Sequence, residues 1–358
     1  MRLELDCERI RRNAATIVGF CAAAGIDVVG VTKSCGGHPD VARAMLAGGV
    51  TALADSRLRN VKRMRQAGIE ADVMLLRLPS LSNVADVVEL TQVSLNSETG
   101  TVRALSQAAQ ARGVTHRVIL MIEMGDRREG VMPEDALDVA RVMRDLPAID
   151  LVGIGTNLVC IGGVLPTVES TQELVGLAES MEGALGTRFR VISGGNTYSL
   201  DFVLRDEMPD RINQLRVGEG ILLGVNSVTK NPLPCPHQDA FRVVAEVIEL
   251  KTKPSMPEGP IATDAFGRKR EWEDLGLRRR AIIALGEQDM RISGLRPKRR
   301  GVTIVGASSD HLVVDVTEAD PPVCLGDELI LDPLYEAVAT AMVSSTVSKI
   351  VKPIAGTS

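Results

Sequence analysis

Two rhythms of apolar residues alternate along the chain up to about residue 225. Short β-branched and aliphatic runs read as buried strands. Between them, apolar residues recur every three or four positions, as on one face of a helix. Leu3-Glu4-Leu5 predicts a short strand, and Asp6 is placed to cap a helix through about Ala24 with Ile10, Ala14, Ile17 and Val18 on one face. The next run, Val28 to Val31, ends abruptly on Thr32-Lys33. A helix from Pro39 to about Ala47 follows, with proline at its start and Gly48-Gly49 at its stop. Further strands are predicted at 51–54, 72–76, 92–95, 117–123, 151–156, 190–193 and 214–217, and helices at 56–68, 97–111, 133–144 and about 166–185. Counted from the lysine run, these strands and helices make a (β/α)8 barrel rather than an open doubly wound sheet. The first strand is followed by no GxGxxG fingerprint, which argues against a dinucleotide fold.

The rhythm changes after the proline-rich stretch Asn231 to Pro236. Strands are predicted at 241–250, 281–285, 302–306 and 312–316, with no long amphipathic helix between them. Lys253 to Pro260 carries too many prolines for regular structure, and Tyr335 to Val351 reads as a short helix and then a strand. The chain is therefore expected to hold a barrel at 1–235 and a mostly β C-terminal domain at 236–358.

Composition narrows the classes. Hydrophobic content of 45% with 24% charged residues is that of a soluble globular protein, and a net charge of -5 argues against a nucleic-acid partner. The basic clusters at 278–280 and 298–300 are too short to track a phosphate backbone. The N-terminus lacks the pattern of a signal peptide and no apolar run approaches membrane-spanning length, so a cytoplasmic protein with no membrane partner is expected. The six cysteines are scattered without a CxxC pair, consistent with reduced thiols, and Cys35 with His38 lacks further ligands for a metal.

Candidate chemistry collects at predicted strand ends, where a barrel builds its site. Lys33 follows the first barrel strand, Arg128 the fifth, Asn157 the sixth, Ser193-Gly-Gly-Asn-Thr197 the seventh, and Arg216-Val-Gly-Glu-Gly220 the eighth. Loops after the last two strands form the usual phosphate cup of this fold, because glycines let backbone N–H groups approach an anion and Thr197 adds a hydroxyl. A phosphate cup facing a lysine able to form a Schiff base fits pyridoxal 5'-phosphate.

The same residues carry a resemblance. Val31-Thr-Lys33, Leu53-Ala-Asp-Ser56, Glu123-Met-Gly-Asp126, Gly155-Thr-Asn157 and Ser193-Gly-Gly-Asn196 resemble motifs of the alanine/ornithine racemase family of pyridoxal-phosphate enzymes, nearest its ornithine racemase branch. So do Asp239-Ala-Phe241, Lys253-Pro-Ser255, Asp264-Ala-Phe-Gly267, Gly306-Ala-Ser-Ser-Asp-His311 and Leu325-Gly-Asp-Glu328 followed by Tyr335, in the same order. The resemblance implies a barrel followed by a β domain, a small amino-acid substrate interconverted between L and D forms, ornithine or a similar diamino acid, and a homodimer with shared active sites. It implies that Lys33 holds the cofactor and that Arg216 hydrogen-bonds the pyridine nitrogen. Thr197, the Gly218–Gly220 backbone and Tyr335 would hold the phosphate, with Asn157, Asn196 and Glu219 among the cofactor-binding residues. Arg128 would sit near the cofactor hydroxyl or the substrate carboxylate.

One departure bears on the reaction. Racemisation needs a proton group on each face of Cα, and in alanine racemases a tyrosine from the partner's β domain serves the face opposite the lysine. The corresponding stretch here is Ala284-Leu-Gly-Glu-Gln-Asp289, with Glu287 at the tyrosine position, and neither Tyr198 nor Tyr335 lies in it. Glu287, Asp310, His311 and Cys160 are the substitutes, and Asp289 or one of these acids is an alternative partner for a distal ammonium. The departure keeps two other readings open: a lyase of the same cofactor class (aldolase, dehydratase or decarboxylase) and a cofactor-binding protein without turnover.

Overall fold

The computed structural model describes residues 1–264, 266–269 and 271–354, so Ala265 of the 264–267 motif lies outside the described residues. Contacts divide the chain into two compact units, Glu8–Gln238 and a second unit that joins Met1–Cys7 to the segment from Asp239 onward. The chain begins with β1 (Arg2–Asp6) and α1 (Cys7–Ala23). Eight parallel strands follow: β2 (Asp27–Val31), β3 (Ala52–Asp55), β4 (Val73–Leu75), β5 (Val93–Asn96), β6 (His116–Met121), β7 (Ile149–Gly155), β8 (Val191–Ser193) and β9 (Gln214–Val217). They pair in sequence and β9 returns to β2, closing the barrel. Between them run α2 (Pro39–Ala47), α3 (Leu58–Gln66), α4 (Val84–Leu90), α5 (Thr99–Arg112), α6 (Ala136–Arg144) and α7 (Val168–Leu185), with the short α8 (Leu200–Leu204) and α9 (Glu219–Leu223) near the end.

β6 shows why the strands read as continuous apolar runs. Val118 and Leu120 face the layer that contains Val102, Leu105 and Met143 of the surrounding helices, whereas Ile119 and Met121 fill the barrel interior with Val29, Ala54, Met74 and Leu95. Both faces of a barrel strand are buried, so both members of the period-two alternation are apolar. Burial of one such leucine contributes about 1.5–3 kcal/mol. Gly153 in β7 meets a different demand. A Cβ there would run into the Val191 carbonyl, so only glycine lets the start of β8 approach β7 closely.

The second unit is an eight-stranded sheet with β10 (Phe241–Pro254), β11 (Leu277–Ile283), β12 (Leu295–Pro297), β13 (Thr303–Ala307), β14 (Leu312–Asp315), β15 (Glu328–Pro333) and β16 (Ser348–Lys352), plus α10 (Tyr335–Ala341). β1 lies in this sheet, antiparallel to β10 and parallel to β16. The long β10 serves two neighbourhoods. Its first half pairs with β1 and β15, and after a register shift between Val247 and Glu249 its second half pairs with β11. That second half corrects an expectation: the strand continues through Lys253 and Pro254, opposite Arg278 and Leu277. A proline is tolerated there because it closes the strand rather than interrupting it. No described helix is long and apolar enough to cross a membrane.

Candidate active site

Lys33 owes its position to a strand that ends in a tight turn. β2 is buried from Val28 onward, Thr32 is fully buried, and Lys33–Cys35 turn at once into a single 3-10 turn closed by Gly36 in the left-handed region. Ser34 and Cys35 go inward and Lys33 is left outward at the C-terminal rim of the barrel. Thr32 fixes the turn. Its hydroxyl donates to Asp55 Oδ2 at 2.8 Å, and Asp55 also accepts from the Arg57 N–H at 3.0 Å and Asn60 Nδ2 at 2.9 Å. Desolvation pushes the Asp55 carboxyl up despite these donors.

The Lys33 side chain reaches solvent at the rim, with protein packed around its stem and head. This desolvation lowers its pKa most, the charge of Arg128 lowers it further, Cys160 opposes that, and Arg216 and Asp55 add smaller effects of opposite sign. A lysine set among cations is readily available as the neutral amine, the form that attacks a carbonyl or accepts a proton.

Arg216 lies on β9 opposite Val29, whose side chain belongs to the barrel interior. It is buried and donates through Nη1 to Ser193 Oγ and through Nη2 to the Thr156 carbonyl at 2.6 Å. Among the described residues it makes no ion pair. Desolvation lowers its pKa to about 10, with Glu129 opposing and Arg128 adding to the effect. Ser193 ends β8 and Thr156 follows β7, so closure of the last three strands aims this guanidinium.

Two loops cross at the rim. In the loop after β6, Glu123 accepts the N–H groups of Gly125 at 2.5 Å and Arg128 at 3.1 Å. Asp126 reaches into the loop after β7 and accepts the N–H groups of Cys160 at 3.1 Å, Gly162 at 3.3 Å and Val164 at 3.3 Å. Burial works against the Asp126 carboxylate, but these three donors outweigh it and leave its pKa below the usual value. Arg128 binds the Glu129 carboxylate through Nε and Nη2, and its Nη1 lies 2.6 Å from Cys160 Sγ.

The remaining barrel candidates divide into two kinds. Thr197 Oγ1 accepts the Gly220 N–H at 3.3 Å, which ties the loops after β8 and β9 together and leaves the hydroxyl hydrogen to donate. Asn196, Asn157 and Glu219 have structural partners: Asn196 caps the Tyr198 N–H at 3.0 Å and donates to the Leu158 carbonyl at 2.8 Å, Asn157 Oδ1 is 3.4 Å from Asn196 Nδ2, and Glu219 accepts from Lys230 at 2.6 Å. The barrel therefore gathers Lys33, Arg128, Asn157, Asn196, Thr197, Arg216 and Gly218–Gly220 at one rim.

The other candidates belong to the second unit. Glu287 accepts from Arg268 Nη1 at 2.7 Å, and the same arginine binds Asp264 at 2.8 Å. Asp310 accepts from Ser309 at 2.7 Å, and His311 is exposed. Backbone bonds from Glu287 to Ser308 and from Gln288 to Ser309 bring the stretch around Glu287 beside that of Asp310 and His311. Asp289 is buried between the Gly286 N–H at 2.9 Å and Thr346 Oγ1 at 2.6 Å. Tyr335 is the first residue of α10.

Residues 5–225 match the family model described as alanine racemase, N-terminal domain. The chain belongs to the alanine racemase family. Its relatives include the lysine racemase of Thermotoga maritima, 39% identical over 98% of both chains, and the ornithine racemase of Acetoanaerobium sticklandii, 36% identical over 97% of this chain and 98% of that one. Among solved structures, the alanine racemase of Clostridium difficile 630 shares the fold at a TM-score of 0.74 with 19% identity, over 98% of this chain and 95% of that one. The D-threonine aldolase of Filomicrobium marinum does so at 0.73 with 18% identity, over 95% and 88%.

Members of this family use pyridoxal 5'-phosphate, and the donor set of the rim fits that group. A buried guanidinium without a carboxylate suits a neutral acceptor such as a ring nitrogen. The Lys33 amine suits the cofactor aldehyde, and the Arg128 guanidinium suits the carboxylate of an amino acid. The sequence marks Lys33, Arg128 and Arg216 by position and Thr32, Asp55, Thr156 and Ser193 only as motif residues, and it does not reveal that these four, with Glu129, aim the cations. Ser193 was visible as a motif residue, though nothing in the sequence tied it to Arg216, 23 positions on.

Proposed function

We propose that the protein is a pyridoxal-5'-phosphate-dependent racemase of a small diamino acid of the ornithine or lysine kind. The observation that carries the reading is a strand-end lysine flanked by two arginines at the rim of a barrel that aligns over nearly its whole length with a lysine racemase and an ornithine racemase.

When bound, the cofactor supplies an electron sink for the charge that develops at Cα. Lys33 Nζ anchors it covalently and, as the free amine, takes or returns the α-proton on its own face. Arg216 donates to the ring nitrogen, keeping that nitrogen unprotonated and the sink moderate. Thr197 and the Gly218–Gly220 backbone would hold the phosphate, and Asn157, Asn196 and Glu219 keep their loops in register. Arg128 binds the substrate carboxylate or the cofactor hydroxyl. The opposite face falls to Glu287, Asp310 or His311, presented by the partner copy of a homodimer with shared sites.

The test is exchange of the α-proton into deuterated water with loss of optical rotation and no other change of mass. Ornithine and lysine are expected to racemise. Retained optical activity for every common amino acid would refute the reading, and a product of different mass would identify a lyase instead.

A further inference from the structure

Three acidic residues spaced by three, Glu123, Asp126 and Glu129, share the loop after β6, and the first two have evident tasks. Glu123 closes its own loop and Asp126 holds the next one. We propose that Glu129 is a positioning residue of the site: it orients Arg128 at the barrel rim and offsets its charge beside Lys33.

The geometry carries this. Both Glu129 oxygens meet the Nε and Nη2 edge of Arg128, a paired arrangement that fixes the plane of the guanidinium as well as its place. One nitrogen, Nη1, is left to point elsewhere, and it faces Cys160 on the neighbouring loop. Adjacent residues do not ordinarily face one another. Here they do because the chain doubles back, with Arg127 at φ 54° and Gly130 at φ 132°. A Cβ on Gly130 would meet the Glu123 backbone, so the bend is built into the sequence. The Glu129 side chain is only 14% exposed, although the Arg128 side chain beside it is 36% exposed.

Charge gives the pairing a consequence. The charges of Arg128 and Arg216 disfavour the Lys33 ammonium, and Cys160 and Asp55 act against them. Glu129 acts on both arginines, binding Arg128 directly and opposing the loss of the Arg216 proton. Removing its charge leaves the rim more positive, disfavours the Lys33 ammonium further, and moves the pH at which Lys33 becomes a free amine downward.

The inference rests on Lys33 being the cofactor lysine, and the test separates the two. Apo-protein is titrated with pyridoxal phosphate across pH, with covalent attachment followed by visible absorbance, and KM is measured for the amino acid. Glu129→Gln is expected to lower the attachment midpoint by about half a pH unit and to raise KM about tenfold. Glu129→Asp keeps the charge but shortens the reach, so its midpoint stays near wild type while KM still rises. A purely structural role would lower the melting temperature without moving the midpoint. If Glu129→Gln does not fold, Glu129→Asp carries the test, and an unchanged KM overturns the proposal. Normal attachment by wild type with an unmoved midpoint and KM in Glu129→Gln overturns it as well. Failure of wild type to attach the cofactor at Lys33 refutes the lysine assignment itself.

Discussion

The barrel rim and the loop cluster around Glu287 both hold charged residues, but they hold them differently. At the rim Lys33 and Arg216 are aimed by groups that are themselves buried: Thr32 and Asp55 fix the turn of Lys33, and Ser193 and the Thr156 carbonyl hold Arg216. In the second unit, Glu287 is engaged by Arg268, a half-exposed arginine shared with Asp264, and Asp310 and His311 are exposed. The rim is a preorganised frame in which a displaced group has nowhere else to go. In the cluster Asp310 and His311 are solvated, and Glu287 is held by an arginine that is itself 45% exposed. The difference teaches where geometry is set by the fold and where it has to be completed by what docks there.

Substitutions should fall in order along this contrast. Lys33→Ala is expected to reduce racemisation by roughly a thousandfold or more, since it removes both the covalent anchor and a proton carrier. Steady-state turnover checks this. Activity within tenfold of wild type would break the contrast outright. Arg216→Met should come next. It leaves the Ser193 hydroxyl and the Thr156 carbonyl buried without their donor, at a cost of about 1–3 kcal/mol, and it weakens cofactor retention, both measurable by thermal unfolding and gel filtration of the holoenzyme.

Asp126→Asn should act through pH. A carboxylate whose folded pKa lies below its unfolded value contributes stability that is present above the unfolded pKa and is lost as pH falls through the folded one. Wild type should therefore loosen its 158–165 loop only in strong acid. The variant should loosen it at neutral pH, read as faster hydrogen exchange at Cys160, Gly162 and Val164. Equal exchange in the two proteins at neutral pH would remove Asp126 from the frame. Glu287→Gln is expected to have the smallest effect: unchanged cofactor attachment, a stability change below about 1 kcal/mol for a partly exposed pair, and less than tenfold loss of turnover where Asp310 or His311 serves the opposite face. A loss as large as that of Lys33→Ala would assign the opposite face of Cα to Glu287 and place a catalytic group outside the buried frame.

The barrel was legible because its strands are short and buried on both faces, so each appears as an uninterrupted apolar run such as Val28–Val31 or Val118–Met121. What eluded sequence reasoning depended on distance or context. Leu3 and Leu5 read correctly as strand, but their partners on β10 and β16 lie more than 230 residues away. α4 hid behind Pro79 and Ser80, where reciprocal bonds between Ser80 and Asn83 cap a 3-10 turn at Leu81–Asn83 that runs straight into it. β12 ends in a proline, and β15 lay within a stretch read for its motif rather than its alternation.

In the site, the strand-end positions of the three cations were legible, and their roles came from the family resemblance. Their supports were not legible, because Thr32 meets Asp55 across two strands and Glu129 meets its own neighbour only through a bend at Arg127 and Gly130. The relation between Lys33 and Arg128 shows the limit most clearly: sequence placed both at one rim, but the plane of the guanidinium follows from the loop.

Identification of the lysine that carries the cofactor tests this account most directly. Holoenzyme would be treated with borohydride to fix the covalent link, digested, and mapped by mass spectrometry. The account predicts the pyridoxyl label on the peptide containing Val31-Thr-Lys33, and at Lys33 within it. A label on any other lysine, or no label on a protein that racemises, would contradict it.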